Sequence, residues 1–225
     1  MSIQPCPARA AARAAWVATI HNGRRLDDYP FEPRPGEYLA FVGRISPDKG
    51  VATAIRVARK AGWPIRLAAR MPLDQPHNPE AQRDWQYYEA EVEPLLREPA
   101  VEYLGELDDA AKAALLSGAA GLLFPIDWPE PFGLVMIEAL ACGTPVVALR
   151  RGSTPEIIVD GVNGFLAVDE SGLIAAVGRL GEIDRHTCRA GVEQRFSAAS
   201  MAEGYERTFA ALLGMACANS AGEAA

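Results

Sequence analysis

Residues 129–149 read PEPFGLVMIEALACGTPVVAL. A short apolar run at 121–125 precedes them and has the length of a buried strand. From Gly133 to Cys142 the pattern is helical, and Gly143 stops it as a left-handed C-cap. Residues 145–149 then begin another strand. Strand, loop, helix and strand in that order form one unit of a parallel sheet. The loop falls at the carboxyl end of a strand, where open α/β sheets bind ligands.

The same alternation extends outward in both directions. Residues 16–20, 38–43, 64–69 and 101–105 also read as strands, and 164–168 as a short extended piece. Val51, Ala54, Ile55 and Ala58 share one helical face. Asn78, Pro79 and Glu80 are a helix start: a capping side chain, a proline at the first position and an acid against the dipole. Trp85, Tyr88, Val92 and Leu95 then share a face as packing surface. Asp108 caps a helix carrying Leu115 and Leu116. Segments 170–180, 184–194 and 198–214 are helical, and the chain frays from about Ala216. Residues 24–36, with Pro30, Pro33, Pro35 and Gly36, form a turn-rich stretch that sets the first strand apart from the main body. No internal repeat or low-complexity linker interrupts the chain. The expected fold is α/β, a single Rossmann-like parallel sheet with helices on both faces.

Composition narrows the function. The chain has 225 residues, enough for one sizeable α/β domain. Lys and Arg number 22 against 29 Asp and Glu, a formal charge of −7, which argues against nucleic acid as the main partner. An anionic ligand must therefore be held by a local arrangement. Cys6, Cys142, Cys188 and Cys217 form no Cys-x-x-Cys pair and read as reduced thiols of a cytoplasmic protein. No apolar run approaches the ~20 residues that span a bilayer.

Two stretches carry the chemistry. In the first, Glu130 lies in a loop, and Phe132, Gly133 and Leu134 open a helix. Their unpaired N–H groups and the positive end of the helix dipole suit anions and sugar hydroxyls. Glu138 lies within the second turn. The two carboxylates are spaced to reach two ends of an elongated polar ligand rather than to share one proton or metal. The second stretch, residues 41–50, reads FVGRISPDKG. A strand ends at Gly43, and Arg44 and Lys49 flank the turn that follows. Arg offers a planar fork for phosphate oxygens and Lys a mobile point charge, which together suggest a diphosphate site. Neither a Walker loop nor G-x-G-x-x-G is present.

Together with IHNGRRLDDYPF, the segment from VEYLGELDDAAKAALL through EIIVDGVNGFLA, and RFSAASMAEGY, these stretches resemble the donor-binding, C-terminal half of family-4 retaining glycosyltransferases of the GT-B fold. The avilamycin-type subgroup is the nearest resemblance. It implies that Arg44 and Lys49 hold the diphosphate and stabilise the leaving group. It implies that Glu130 lies near the donor sugar and that Glu138 binds the ribose. It further implies that Phe132, Gly133 and Leu134 are backbone donors to sugar and phosphate, that Gly105, Glu106 and Leu107 frame the nucleobase, and that Gly43 belongs to the donor site. The implied substrate is a nucleotide-diphosphate sugar, with no cofactor and no metal ion.

On this reading residues 1–22 are a linker and the remnant of an N-terminal domain. Residues 23–197 form the donor-binding domain, and 198–225 a C-terminal crossover helix with a frayed tail. An N-terminal acceptor domain or a partner chain is expected to complete the cleft. The alternatives are a nucleotide-sugar-binding subunit or degenerate fragment without turnover, and a GT-B epimerase, which would need different acids and a histidine. His21, His77 and His186 read as structural or exposed. Arg150 and Arg151 suit a solvated turn at least as well as a cleft wall, and Asp127 and Trp128 stand where they can shape a sugar pocket.

Overall fold

A computed structural model describes residues 16–75 and 77–222, with side chains up to residue 214. Residues 1–15 of the expected linker and remnant, Cys6 among them, lie outside the described residues, as does the side chain of Cys217. Strands β1 (Leu39–Arg44), β2 (Ile65–Arg70), β3 (Val101–Gly105), β4 (Gly121–Phe124), β5 (Val146–Leu149) and β6 (Gly164–Ala167) form one sheet in the order β3-β2-β1-β4-β5-β6. All the pairings are parallel. β4 and β5 are buried along their whole length, which explains why they read as unbroken apolar runs rather than alternating ones.

Helix α1 (Val51–Ala61) follows β1. Helix α2 (Pro79–Tyr87) continues through a π turn (Tyr88–Val92) into α3 (Glu93–Leu96). Then come α4 (Asp109–Ser117), α5 (Leu134–Ala141), the short α6 (Thr154–Ile157), α7 (Glu170–Val177), α8 (Arg185–Arg195) and α9 (Ala198–Gly222). α1 packs with α7, and α5 packs with α4 and α8. Right-handed crossovers on the two sides of β1 put these groups on opposite faces of the sheet. Two expected caps form: Asn78 Oδ1 accepts from the N–H groups of Glu80 and Ala81, and Asp108 Oδ1 from that of Ala111. Gly143 is left-handed, φ 81°, as its place after α5 requires.

The sheet opens where the strand order reverses. β1 and β2 are in register over six residue pairs, but β1 and β4 over only two, Leu39 with Gly121 and Ala40 with Leu122. Beyond Ala40 these two strands diverge, and the crevice lies between their carboxyl ends.

The structure corrects several expectations. Residues 16–20 are not a strand. They have no ladder partner; Trp16 and Val17 are exposed, and the segment instead flanks a groove along α9 beside Thr208 and Leu212. The sixth strand is β6. Residues 24–36 do not stand apart from the body. Arg24 bridges to Ser197, and the buried Arg185 and half-buried Arg189 donate to the carbonyls of Glu32, Tyr29 and Leu26. The face expected to run from Trp85 to Leu95 is broken by the π turn, which shifts the register and leaves Val92 alone among the four fully buried. The last helix runs from Ala198 to Gly222, past the 198–214 read from the sequence.

Candidate functional site

Two turns meet at the mouth of the crevice. The turn after β1 winds through a 3-10 segment, Pro47–Lys49, into α1. The loop after β4 is tied to it by the Asp127 N–H, which donates to the Asp48 carbonyl at 3.0 Å. Lys49 Nζ then donates to Glu130 Oε2 at 2.7 Å, and Trp128 Nε1 to the same oxygen at 3.0 Å. The Lys49 ammonium also sits 5.8 Å from the Trp128 ring centre, within cation–π range. Two residues that the sequence places 81 apart are thus in direct contact.

The 129–134 loop is braced by Ser153, which donates to two of its carbonyls. Ser153 N–H donates to the Glu130 carbonyl at 2.9 Å, and Ser153 Oγ–H to the Phe132 carbonyl at 2.8 Å. Gly152 lies so close beneath Glu130 that any Cβ there would collide with its backbone. Gly133 is the α5 N-cap with φ 78°, and an added Cβ would stand 2.7 Å from Met136 Cε. The N–H groups of Phe132, Gly133 and Leu134 donate to no group among the described residues. They leave an open, positively polarised helix end beside Glu130. The Phe132 side chain is buried against His21 and Phe196.

Beside this pair lies a cavity of about 250 Å³. Gly43 and Arg44 form part of its wall from β1, Arg70 from β2, Glu106 and Leu107 from the turn after β3 and Lys112 from α4. Arg44 is loosely paired, 3.6 Å from Asp84 and 3.9 Å from Asp48, and its Nε makes no hydrogen bond among the described residues. Its guanidinium therefore keeps donors for a ligand. Lys49 does not line the cavity, but its Cβ packs 3.9 Å from where a Cβ on Gly43 would stand. Gly105 ends β3 immediately before Glu106 and Leu107, which stand together on one wall of the cavity.

Glu138 is placed differently from Glu130. It is 2% exposed and lies in α5, where Met136, Ile137 and Leu140 are fully buried. Each such side chain contributes about 1.5–3 kcal/mol by burial. That sum supports a carboxylate in the interior only if the carboxylate is paired. It is: Arg24 Nη2 donates to Oε1, and Lys112 Nζ lies 3.1 Å from Oε2. Tyr29 is held well above the ordinary phenol range, first by burial and then by the nearby Glu138 charge. Burial alone would lower the Lys112 ammonium, but its contacts with Asp109 and Glu138 outweigh that and raise it. Lys112 thus stays charged at neutral pH and connects Glu138 to the cavity wall.

Sequence reasoning missed Arg24, Tyr29, Arg70 and Lys112. Lys112 carried a faint signal, a lone cation one turn into an alanine- and leucine-rich helix, on the same face as the buried Leu115 and Leu116. Arg24 carried none, because its partner lies 114 residues away and its own segment has no period. The histidines stay outside the cavity: His21 pairs with Glu156 at 3.0 Å, and His186 packs on Phe31. Arg151 pairs with Asp127 at 3.1 Å. Cys142 and Cys188 are free and buried, and burial pushes both thiols up to about 12. No helix among the described residues is long and apolar enough to cross a membrane.

Comparison with known proteins fits this geometry. The family model described as "Glycosyl transferases group 1" matches residues 30–180, well over half of the chain. A glycogen synthase of Mycobacterium tuberculosis is 33% identical over 174 residues, 72% of this chain and 39% of that protein. The chain therefore spans about two fifths of this relative's length. Among solved structures, AviGT4, a glycosyltransferase involved in avilamycin A biosynthesis, superposes with a TM-score of 0.69. It is 23% identical, over 87% of this chain and 58% of that one. The Anabaena protein HepE in complex with UDP and glucose gives 0.69 at 23% identity, over 85% of this chain and 56% of that one. At these identities the two structures establish the shared fold.

Proposed function

This chain belongs to the group 1 glycosyl transferases, and we propose that its crevice binds a nucleotide-diphosphate sugar for transfer of the glycosyl group with retained configuration. The observation that carries this reading is the Lys49–Glu130 contact of 2.7 Å beside the open N-terminus of α5, next to a cavity lined by Arg44. Cations and unpaired N–H groups converge where a diphosphate leaving group would develop charge. Glu130 stands beside them with hydroxyl-accepting oxygens. Arg44, Lys49 and the helix-end amides can take up the leaving-group charge without a divalent metal or other cofactor. Front-face attack, with the departing phosphate helping to deprotonate the acceptor, is the mechanism we assign. Glu138 acts on the ribose side, through an oxygen freed when Arg24 or Lys112 shifts. The protein acts in the cytoplasm.

Residues 23–197 would be the donor-binding unit and α9 a crossover element. Tyr205, Phe209 and Leu213 on α9 are exposed, an apolar surface suited to the N-terminal domain or partner chain that would hold the acceptor. Positioning that acceptor in line supplies much of the rate of such a transfer. A panel of nucleotide sugars tested by thermal shift is the first experiment. A donor that binds the folded state raises the melting temperature with concentration. Failure of every nucleotide sugar to do so would sink the donor-binding reading. For a donor that does bind, the anomeric configuration of the product, followed by NMR, tests retention; inversion would remove the front-face mechanism.

A further inference from the structure

We propose that the outer part of the cavity is built to read guanine, which makes the donor a guanosine-diphosphate sugar. This rests on the nucleotide-sugar reading above and adds the identity of the base. Arg70 closes β2 and Glu106 follows β3, the two strands on one side of β1. Both side chains line the 250 Å³ cavity that Arg44 lines from β1. With phosphates at Arg44, next to the strand-order reversal, the base extends outward over β2 and β3.

The other cations of this wall have acidic neighbours: Arg44 stands 3.6 Å from Asp84 and 3.9 Å from Asp48, and Lys112 pairs with Glu138 and Asp109. Arg70 and Glu106 are not. Neither makes a side-chain hydrogen bond or ion pair among the described residues, and they do not reach each other. Opposite charges therefore line one small cavity without a protein partner among the described residues, and a ligand lying between them can engage both. A guanidinium fork is best met by two adjacent acceptors, and a carboxylate by two adjacent donors. Guanine offers both pairs on neighbouring edges: O6 and N7 accept, N1–H and N2–H2 donate. Uracil and thymine present one N–H between two carbonyls, which gives the carboxylate a single donor. Adenine sets an amino donor beside a ring acceptor on each edge, so neither Arg70 nor Glu106 finds a matched pair; cytosine offers the adjacent acceptors N3 and O2 to a guanidinium but no adjacent pair of N–H donors to a carboxylate. Leu107, on the same wall, supplies an apolar surface for the ring.

The test is calorimetry of the 225-residue chain with GDP, UDP and ADP, repeated for Arg70→Ala and Glu106→Gln. GDP should bind roughly tenfold or more tightly than the other two, the discrimination expected of one bidentate contact. Each substitution should draw the GDP-to-UDP affinity ratio toward one. Both side chains are exposed, so the variants should fold, and an unchanged melting temperature checks this. UDP binding as tightly as GDP, or a ratio unmoved in both variants, overturns the base assignment and leaves the nucleotide-sugar reading standing. No binding of any of the three removes that reading and the assignment with it.

Discussion

The loop before α5 and the interior of α5 each carry one glutamate of the crevice, and they hold it by opposite means. Glu130 stands on a loop fixed by backbone hydrogen bonds, and its carboxylate is held by Lys49 and Trp128, whose side chains reach solvent. Glu138 lies in a helix with its neighbours wholly buried, and Arg24 and Lys112 close over it. The first arrangement can exchange a protein partner for a ligand at small cost. In the second, the same charge is part of what keeps the helix packed. Two identical side chains on one short segment therefore differ in whether their removal costs binding or folding.

The largest effect should separate them on stability. Glu138→Ala leaves Arg24 and Lys112 without their buried partner and should cost about 3 kcal/mol in urea denaturation, the low end for a broken buried pair because Arg24 is part-exposed. Glu130 is nearly buried itself but is held by Lys49 and Trp128 side chains that reach solvent, so Glu130→Ala should cost less, about 1.5 kcal/mol. Equal losses would erase the distinction.

Next in size is the junction between the two regions. Gly133→Ala forces a side chain into the left-handed conformation and against Met136. It should destabilise by about 1–2 kcal/mol and reduce nucleotide affinity as the helix-end amides shift. A variant of full stability would mean that the backbone there is not held as described.

Smaller still is the division of ligand contacts. Glu130→Gln should leave nucleoside-diphosphate affinity nearly intact and weaken the intact nucleotide sugar by about 1 kcal/mol, one ordinary hydrogen bond. Glu138→Gln should weaken both ligands. Calorimetry with the two ligands decides it, and parallel losses in both variants would end the division. The smallest expected effect is none: a chelator should not change donor binding, and a loss restored by a divalent cation would show that the cations and helix-end amides do not suffice.

What the sequence made legible follows the same contrast. Five of the six strands, the caps at Asn78 and Asp108, and the loop–helix unit at 129–149 were readable because each is written in a local pattern of strand length, cap chemistry or glycine placement. Residues 16–20 misled because an apolar run reads the same whether it joins a ladder or lies along a helix. Arg24 on Glu138 and Arg185 on the carbonyls of Glu32, Ser117 and Ala119 were invisible because their partners are distant in sequence. Arg44, Lys49 and Glu130 were legible as residue types at strand ends. That Glu138 faces inward, with Lys112 in its place on the cavity wall, needed three-dimensional packing.

The central claim is that the two strand-end cations of the β1 turn bind the diphosphate of a nucleotide donor. Titrating GDP and UDP into the wild-type chain, Arg44→Ala and Lys49→Ala by calorimetry tests it most directly. Each substitution should weaken the better-bound nucleotide by about 1–3 kcal/mol, roughly 5- to 150-fold in Kd, with the melting temperature of the unliganded protein little changed. Unaltered affinity in both variants, for a nucleotide that the wild-type chain does bind, would place the diphosphate elsewhere and contradict the account.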